Sequence, residues 1–461
     1  MQSLDLQPTK DNLEKTLKVD AIGRNKDIAI FVNLLCNIKA PFSVAINGNW
    51  GSGKTFFIKQ TSIVLDLLSK NNSELNIEDI PNMQSLQKKK NEFSSIYYDA
   101  WKNDNDCDPI LSILFTICHE YKKQSPRNRD IKKGVMNIVS EVADLTVGKY
   151  VDVNDIKEIE ENVEKDIIGK KIIDPIEKQK KLFNKIKNFF NNLLGKKDEK
   201  LIVFIDELDR CKPSYAINLM ERIKHYFSDS RIIFVFSVNI DQLKHMIQKS
   251  YGVGFDGEAY LDTFFNLNLS LPKPKMDAVY SLMKIKDEDI NPWIAESSQR
   301  LIRHFDFSLR EITRFYLQVK VGMDGYFSQS DHIYFPEENA RLFSFIVFVP
   351  YLIGLRMRDI NKYNKFVAGK ECKDWISYTS NFDRVYEWLP ILNRDEETFD
   401  SNEKNKKIFD KEEKLRKIYL TIFYSEGKES EFSTGQMHFS SRQRSEIIHT
   451  ASLLSDWIKL E

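Results

Sequence analysis

The chain has 461 residues, and 42% are apolar, which is enough for a buried core and excludes global disorder. Its 68 Lys and Arg balance its 68 Asp and Glu, so nothing in the net charge supports a strongly basic nucleic-acid binder or an acidic tail, although local basic patches stay open. At about 150 residues per domain, the length allows about three domains, or one large one with insertions. The five cysteines (Cys36, Cys107, Cys118, Cys211, Cys372) form no CxxC pair. They read neither as a disulfide framework nor as a zinc site, and they imply a reducing compartment. The N-terminus, MQSLDLQPTKDNLEK, lacks the apolar core of a secretory signal.

Residues 24–39 place Ile28, Ile30, Phe31, Leu34, Leu35 and Ile38 at helical spacing. Phe42 to Asn47, FSVAIN, is a short apolar run that enters a glycine-rich turn, as a strand feeding a loop does. A helix is expected from Thr55 to Ser69, an exposed polar connection over 70–92, a strand over Ser95–Asp99, and a helix over Pro109–Tyr121. Residues 125–198 are charged and read as a helical insertion. Within them Leu182, Phe183, Ile186, Phe189, Phe190, Leu193 and Leu194 recur at three- and four-residue steps among lysines. Such a basic amphipathic helix either lies on a membrane surface or packs its apolar stripe on the sheet, and packing is the favoured reading.

Leu201–Ile205, LIVFI, and Arg231–Val238, RIIFVFSV, are unbroken apolar runs, as expected of strands buried on both faces. Helices follow over Tyr215–Phe227 and Ile240–Lys249, and a fifth strand over Phe264–Leu271 stops at Pro272 and Pro274. Beyond about residue 275 the pattern is mostly helical. The apolar run Leu342–Leu355 is shorter than the roughly 20 residues of a membrane span, carries Pro350, and reads as buried. Gly427 to Arg442 reads as a polar loop before a terminal helix. The expectation is a soluble, cytoplasmic α/β protein with no membrane span.

Gly48-Asn49-Trp50-Gly51-Ser52-Gly53-Lys54-Thr55 matches G-x-x-x-x-G-K-[ST] between an expected strand and an expected helix. Glycines let backbone N–H groups turn inward around phosphate oxygens, and the following helix points its positive end at the same oxygens. The binding set is therefore Gly48, Asn49, Trp50, Gly51, Ser52, Gly53, Lys54, Thr55 and Phe56, with Lys54 reaching the β- and γ-phosphates of ATP and Thr55 holding Mg²⁺. In LIVFIDELDRC, Asp206 and Glu207 end a buried strand, at the edge where open α/β sheets bind ligands. Asp206 is the second Mg²⁺ candidate, and Glu207 the base that polarises a water. Arg210 is either a finger to a neighbouring subunit's nucleotide or the ion-pair partner of Asp209, the pair being favoured. Asn239, just past the next strand, can orient the water, cap a helix, or do both.

DAIGR (Asp20–Arg24), GNWGSGKT, YYDAWKNDNDCDPI (Tyr97–Ile110), FIDELDRCKP, YLDTFFNLNLSLP (Tyr260–Pro272) and SLREITRF (Ser308–Phe315) together resemble the KAP family of P-loop NTPases, in the additional-strand, catalytic-Glu class near AAA+ and STAND proteins. The resemblance spans roughly residues 15–320. It implies a parallel five-stranded P-loop NTPase sheet with a helical insertion and a mostly helical C-terminal region. The expected divisions are 1–124 and 200–274 for the core, 125–199 for the insertion, 275–325 for a lid, and 326–461 for a helical domain of unknown role. It also implies that Gly23 and Arg24 lie on the adenine side. Arg310 resembles a lid sensor arginine, with Arg314 the alternative. Trp101 belongs to a family-typical turn, and core packing is its plainer role. Two departures stand out. No stretch within 56–200 is long enough for the membrane helices common in the family, and Asn239-Ile240 replaces its usual Asp-Arg.

The expected function is a KAP-type ATPase that uses Mg-ATP to drive a change in shape or assembly, with protein partners or self-association through the helical C-terminal region. Bacterial relatives of this type imply a setting in defence against phages and mobile elements. The alternatives are a nucleotide-dependent scaffold or switch with little turnover, and an ATP-dependent nucleic-acid remodeller, for which no winged-helix or zinc signature is present. No N-K-x-D element stands where a guanine reader would, which favours ATP.

Overall fold

The computed structural model describes residues 7–38, 41–69, 75–86, 93–106, 108–124, 180–191, 193–194, 200–227, 231–274, 279, 292–327, 338–382, 403–424, 430–434 and 437–452. They belong to two compact units, Leu6–Leu282 and Met283–Glu461.

The first unit is built on five parallel strands: β1 (Phe42–Asn47), β2 (Phe93–Asp99), β3 (Lys200–Asp206), β4 (Ile232–Val238) and β5 (Leu267–Ser270), in the order β2-β3-β4-β1-β5. Every residue of β4 is buried, which is why that strand reads as a continuous apolar run rather than an alternation. Successive side chains still point to opposite faces. Ile96, Tyr98, Val203, Ile205, Phe234 and Phe236 enter one core with helix α4 (Pro109–Gln124) and the helix Pro213–Tyr226. Val44, Ile46, Ile202, Phe204, Ile233 and Val235 enter the other with α2 (Asn25–Asn37) and α3 (Lys54–Ser69). Strands alternating with helices thus form a sheet covered on both faces.

Several expectations change here. A helix absent from the sequence reading, α1 (Lys10–Lys18), starts at Thr9, whose side chain accepts from Asn12 N, and buries Leu13 and Leu17. The connection over 70–92 is not uniformly exposed. Its described part makes two 3-10 turns, Ile77–Asp79 and Gln84–Leu86, and buries Leu75, Ile80, Met83 and Leu86 in the α2–α3 core. Strand β5 is shorter than Phe264–Leu271, because the backbone N–H groups of Phe264 and Phe265 bond back to Leu261 O in a helical turn.

Most of the expected insertion lies outside the described residues, but residues 180–191 are helical. Leu182, Ile186, Phe189 and Phe190 bury their side chains against the sheet, while Lys180, Lys181 and Lys187 stay in solvent. Full burial of each such apolar side chain contributes about 1.5–3 kcal/mol, so the amphipathic pattern serves packing.

The second unit is mostly helical. Pro292–His304, Leu309–Phe327, Glu338–Val347, Val349–Arg358, Ile360–Val367, Lys373–Ser380, Glu403–Phe423 and Gln443–Ser452 are its named helices. SLREITRF opens the second of them as a reciprocal cap. Ser308 N donates to Glu311 Oε2 at 2.8 Å, and Glu311 N donates to Ser308 Oγ at 3.5 Å. Asn339–Arg358 is long and apolar enough to cross a membrane by composition, yet 78% of its most apolar window is buried. It breaks at Phe348, and Pro350 sits in the first turn of the second piece, where its missing N–H costs nothing. The polar loop expected over 427–442 is instead partly an antiparallel hairpin, β6 (Glu431–Thr434) with β7 (Met437–Ser440), which buries Met437 and Phe439.

Candidate nucleotide-binding site

Strand register brings the candidate residues to one edge. Asp206 pairs with Ser237, Ile46 also pairs with Ser237, and Asn47 pairs with Val238. The ends of β1, β4 and β3 are therefore level. At about 4.8 Å per strand, the acid strand lies about 10 Å across the sheet from the loop strand, with β4 between them. The loop leaves β1 still anchored, since Gly48 N donates to Val238 O at 3.2 Å.

The loop Gly48–Lys54 then turns over the start of α3. Gly51 and Gly53 have φ of 82° and 89°, where a side chain would be strained. At Gly48 a Cβ would meet Ser52 Oγ at 2.8 Å and close the loop on itself. Lys54 folds back, and its Nζ donates to Gly48 O at 2.6 Å and Asn49 O at 3.3 Å. Burial lowers its pKa, while Asp209, Asp206 and Glu207 pull it upward. Phe56 is buried behind the loop, and Thr55 sits in the first turn of α3.

Asp206 is 1% exposed and well held. Ser237 Oγ donates to its Oδ1 at 2.6 Å, Glu207 N to the same oxygen at 3.0 Å, and Tyr97 OH to Oδ2 at 3.0 Å. Burial and the neighbouring Asp206 charge push the Tyr97 phenol far above its usual range, so it remains a donor. A carboxylate accepts about four hydrogen bonds, and three are used. Tyr97 and Ser237 are candidate-site residues whose role no motif marks. The serine was visible as the single polar residue in IIFVFSV.

Glu207 adopts φ 59°, ψ 24°, a left-handed conformation that costs a non-glycine residue roughly 1–2 kcal/mol and turns its side chain out of the strand line. Burial and Asp206 raise its pKa, while Arg210 and Lys54 lower it. Arg210 pairs with Glu207, its Nε 2.5 Å from Oε2, and not with Asp209 as the sequence suggested. Asp209 is taken by the loop instead, for Trp50 Nε1 donates to its Oδ2 at 2.6 Å. That bond joins the phosphate loop to the acid turn. The Arg210 guanidinium lies 5.9 Å from the Trp50 ring centre and 5.3 Å from that of Trp101. Trp101 is 52% exposed, so core packing is not its role.

Asn239 caps the helix Ile240–Tyr251, its Oδ1 accepting from Asp241 N and Gln242 N. Arg24 is buried and donates to Pro272 O just past β5, and burial brings its pKa down to about 10. Gly23 has φ 70° in the turn before it. Arg310 and Arg314 are exposed on the helix Leu309–Phe327 of the second unit.

The site fits an anion with a shared cation. Ser52 Oγ, a donor in the loop, and Asp209 Oδ1, an acceptor suited to the cation, are buried without a hydrogen-bond partner, and the Nε–H groups of Arg210 and Arg24 find none in hydrogen-bond geometry. Among the described residues no group of three or more His, Cys, Asp or Glu gathers for a metal. One hydroxyl (Thr55) and one nearly saturated carboxylate (Asp206) suit Mg²⁺, which keeps its waters and shares phosphate oxygens.

A parallel sheet with a strand inserted between loop and acids, a glycine-rich cradle and a facing acid pair define the P-loop NTPase class with an additional strand. The KAP family P-loop domain matches residues 24–324, more than half of the chain, and the chain belongs to that family. An uncharacterised protein of Methanocaldococcus jannaschii is 25% identical over 170 residues, covering 30% of this chain and 87% of that one. Among solved structures, the Aeropyrum pernix Orc1 protein in complex with DNA is similar at a TM-score of 0.33 and 11% identity, over 98% of this chain and 96% of that one. C. elegans PCH-2 is similar at a TM-score of 0.27 and 12% identity, over 68% and 64%.

Proposed function

We propose that the chain is a Mg-ATP hydrolase that couples turnover to a change in shape or assembly. The bond from Trp50 to Asp209 carries this reading, because it holds the phosphate loop against the acid turn. Lys54 leaves its two carbonyls for the β- and γ-phosphates. Thr55 and Asp206 would hold Mg²⁺, which would supply charge neutralisation to the phosphates. Glu207 accepts a proton from a water whose oxygen attacks the γ-phosphorus. The bond from that phosphorus to the bridging oxygen breaks, and its electron pair leaves with ADP.

Phosphate release with Mg-ATP tests the reading. Glu207→Gln keeps nucleotide binding and loses on the order of 10²-fold or more in turnover, as removal of a general base does. Lys54→Ala loses binding in a fluorescent-nucleotide titration by at least roughly 10- to 100-fold, the value of a hydrogen bond to a charged group. Equal binding by Lys54→Ala and the parent chain would refute the site.

A second reading, a switch with little turnover, draws on the Arg210 ion pair that occupies the candidate base. Under it, ATP raises the melting temperature while the parent chain and Glu207→Gln release phosphate equally slowly. A role in defence rests on the family resemblance, and plaque counts on hosts carrying the parent chain or Lys54→Ala test it.

A further inference from the structure

We propose that Arg210 reads the γ-phosphate of the nucleotide bound to its own chain, leaving Glu207 when a triphosphate arrives and so freeing that carboxylate. The inference rests on the nucleotide reading of the loop and assigns within it a residue for triphosphate discrimination.

Arg210 belongs to the 3-10 turn Leu208–Arg210 and pairs with the residue just before it, Glu207. While paired, the carboxylate is neutralised by a cation and poorly placed to accept a proton from water. The pair is also incomplete. Although Nε lies 2.5 Å from Oε2, the buried Nε–H finds no acceptor in hydrogen-bond geometry. A guanidinium presents five donors in a rigid fork that matches phosphate oxygens two at a time, and a single off-axis carboxylate oxygen uses little of it.

The surroundings let the cation move. Trp50 and Trp101 offer ring faces at 5.9 and 5.3 Å, and both rings are about half exposed. Cation–π attraction at such exposed rings is weak, so a guanidinium can leave them at small cost. One of the rings belongs to the phosphate loop itself, where Asp209 fixes it. Ser52 Oγ, buried and unpartnered in the same loop, adds a donor.

The test is calorimetric titration, with Mg²⁺, of a non-hydrolysable β,γ-imido ATP analogue and of ADP into the parent chain, Arg210→Ala, Arg210→Lys and Lys54→Ala. Arg210→Ala is expected to bind the analogue about tenfold or more weakly and ADP within about twofold of the parent, the range of a charged hydrogen bond to the extra phosphate. Arg210→Lys recovers part of the loss, since it keeps the charge without the fork. In the parent chain, tryptophan fluorescence changes more with the analogue than with ADP, because both occupy the loop that carries Trp50 and only the triphosphate draws the guanidinium off the rings. This last readout stands even where a variant fails to fold. Equal loss for both nucleotides, no loss for either, or identical fluorescence responses would overturn the inference. Recovery of turnover on mixing Arg210→Ala with Lys54→Ala would overturn it too, by placing the arginine in a neighbouring subunit's site. Unchanged ADP binding by Lys54→Ala would strike the loop assignment itself, and the inference with it.

Discussion

Asp206 shows how much of the candidate site is built from residues that hold other side chains in place. Its carboxylate is fully enclosed, so its charge is tolerable only because three donors face it. Ser237 supplies the shortest of the three and is itself wholly buried in β4. Removing that hydroxyl leaves a buried anion short of one donor. Ser237→Ala is therefore expected to destabilise the fold by about 1–3 kcal/mol, more than a surface substitution does. It should also raise the Mg²⁺ concentration needed for nucleotide binding, since a less fixed carboxylate orients a metal-bound water less well. Thermal denaturation reads the first effect and a Mg²⁺ titration the second. A melting curve that matches the parent chain would show that Tyr97 and the Glu207 amide suffice. The placement of Lys54, Asp206 and Glu207 at one sheet edge was legible because the motifs fix residue type and spacing at strand ends. Trp50 with Asp209, and Arg210 with Glu207, were not, because their partnership depends on which way two side chains turn after a left-handed residue.

Single side chains also tie whole elements together in the second unit. Asp374, on the helix Lys373–Ser380, accepts from His304 Nε2 at 2.9 Å and from Tyr351 OH at 2.8 Å, so one carboxylate joins three helices. The His304 hydrogen bond, opposed by partial burial and aided by Tyr351, holds its pKa below the usual carboxylate range. A carboxylate whose folded pKa is depressed contributes stability above its unfolded value and loses it as pH falls through the folded value. Asp374→Asn should therefore melt below the parent chain at neutral pH. The gap should close as pH falls below the ordinary value of 3.8. A gap that widens on acidification would contradict the assignment. Elements were readable where the apolar pattern was strong, as in the unbroken runs of β3 and β4 and the helical spacing of α2. They were missed where the signal was short. Glu431–Thr434 and Met437–Ser440 are four residues each, and their polar composition masked the alternation. Likewise α1 rests on a Thr9 cap and few apolar positions, too little for periodicity alone.

At the scale of the molecule, the apolar run Leu342–Leu355 and the nucleotide loop lie in different compact units. The run fills the interior of the second unit, where Phe343, Phe348, Tyr351 and Leu352 are buried. The first unit has its own two cores, one on each face of the sheet. Units with separate cores tend to unfold as separate cooperative blocks, so calorimetry should show two transitions. A ligand that binds only the native state stabilises by RT ln(1 + [L]/Kd), about 2.7 kcal/mol at a hundredfold excess over Kd. The cradle, the acid pair and both loop tryptophan contacts all belong to Leu6–Leu282. Mg-ATP should therefore raise the transition of that unit, and Lys54→Ala should abolish the rise while leaving both transitions in place. A shift of equal size in both transitions would mean that nucleotide occupancy is transmitted to the helical unit, as the proposed change in shape requires during turnover. A shift confined to the first transition at saturating ADP, extending to the second with the triphosphate analogue, would locate the output in the γ-phosphate rather than in occupancy, and would tie the helical unit to the residue that senses it.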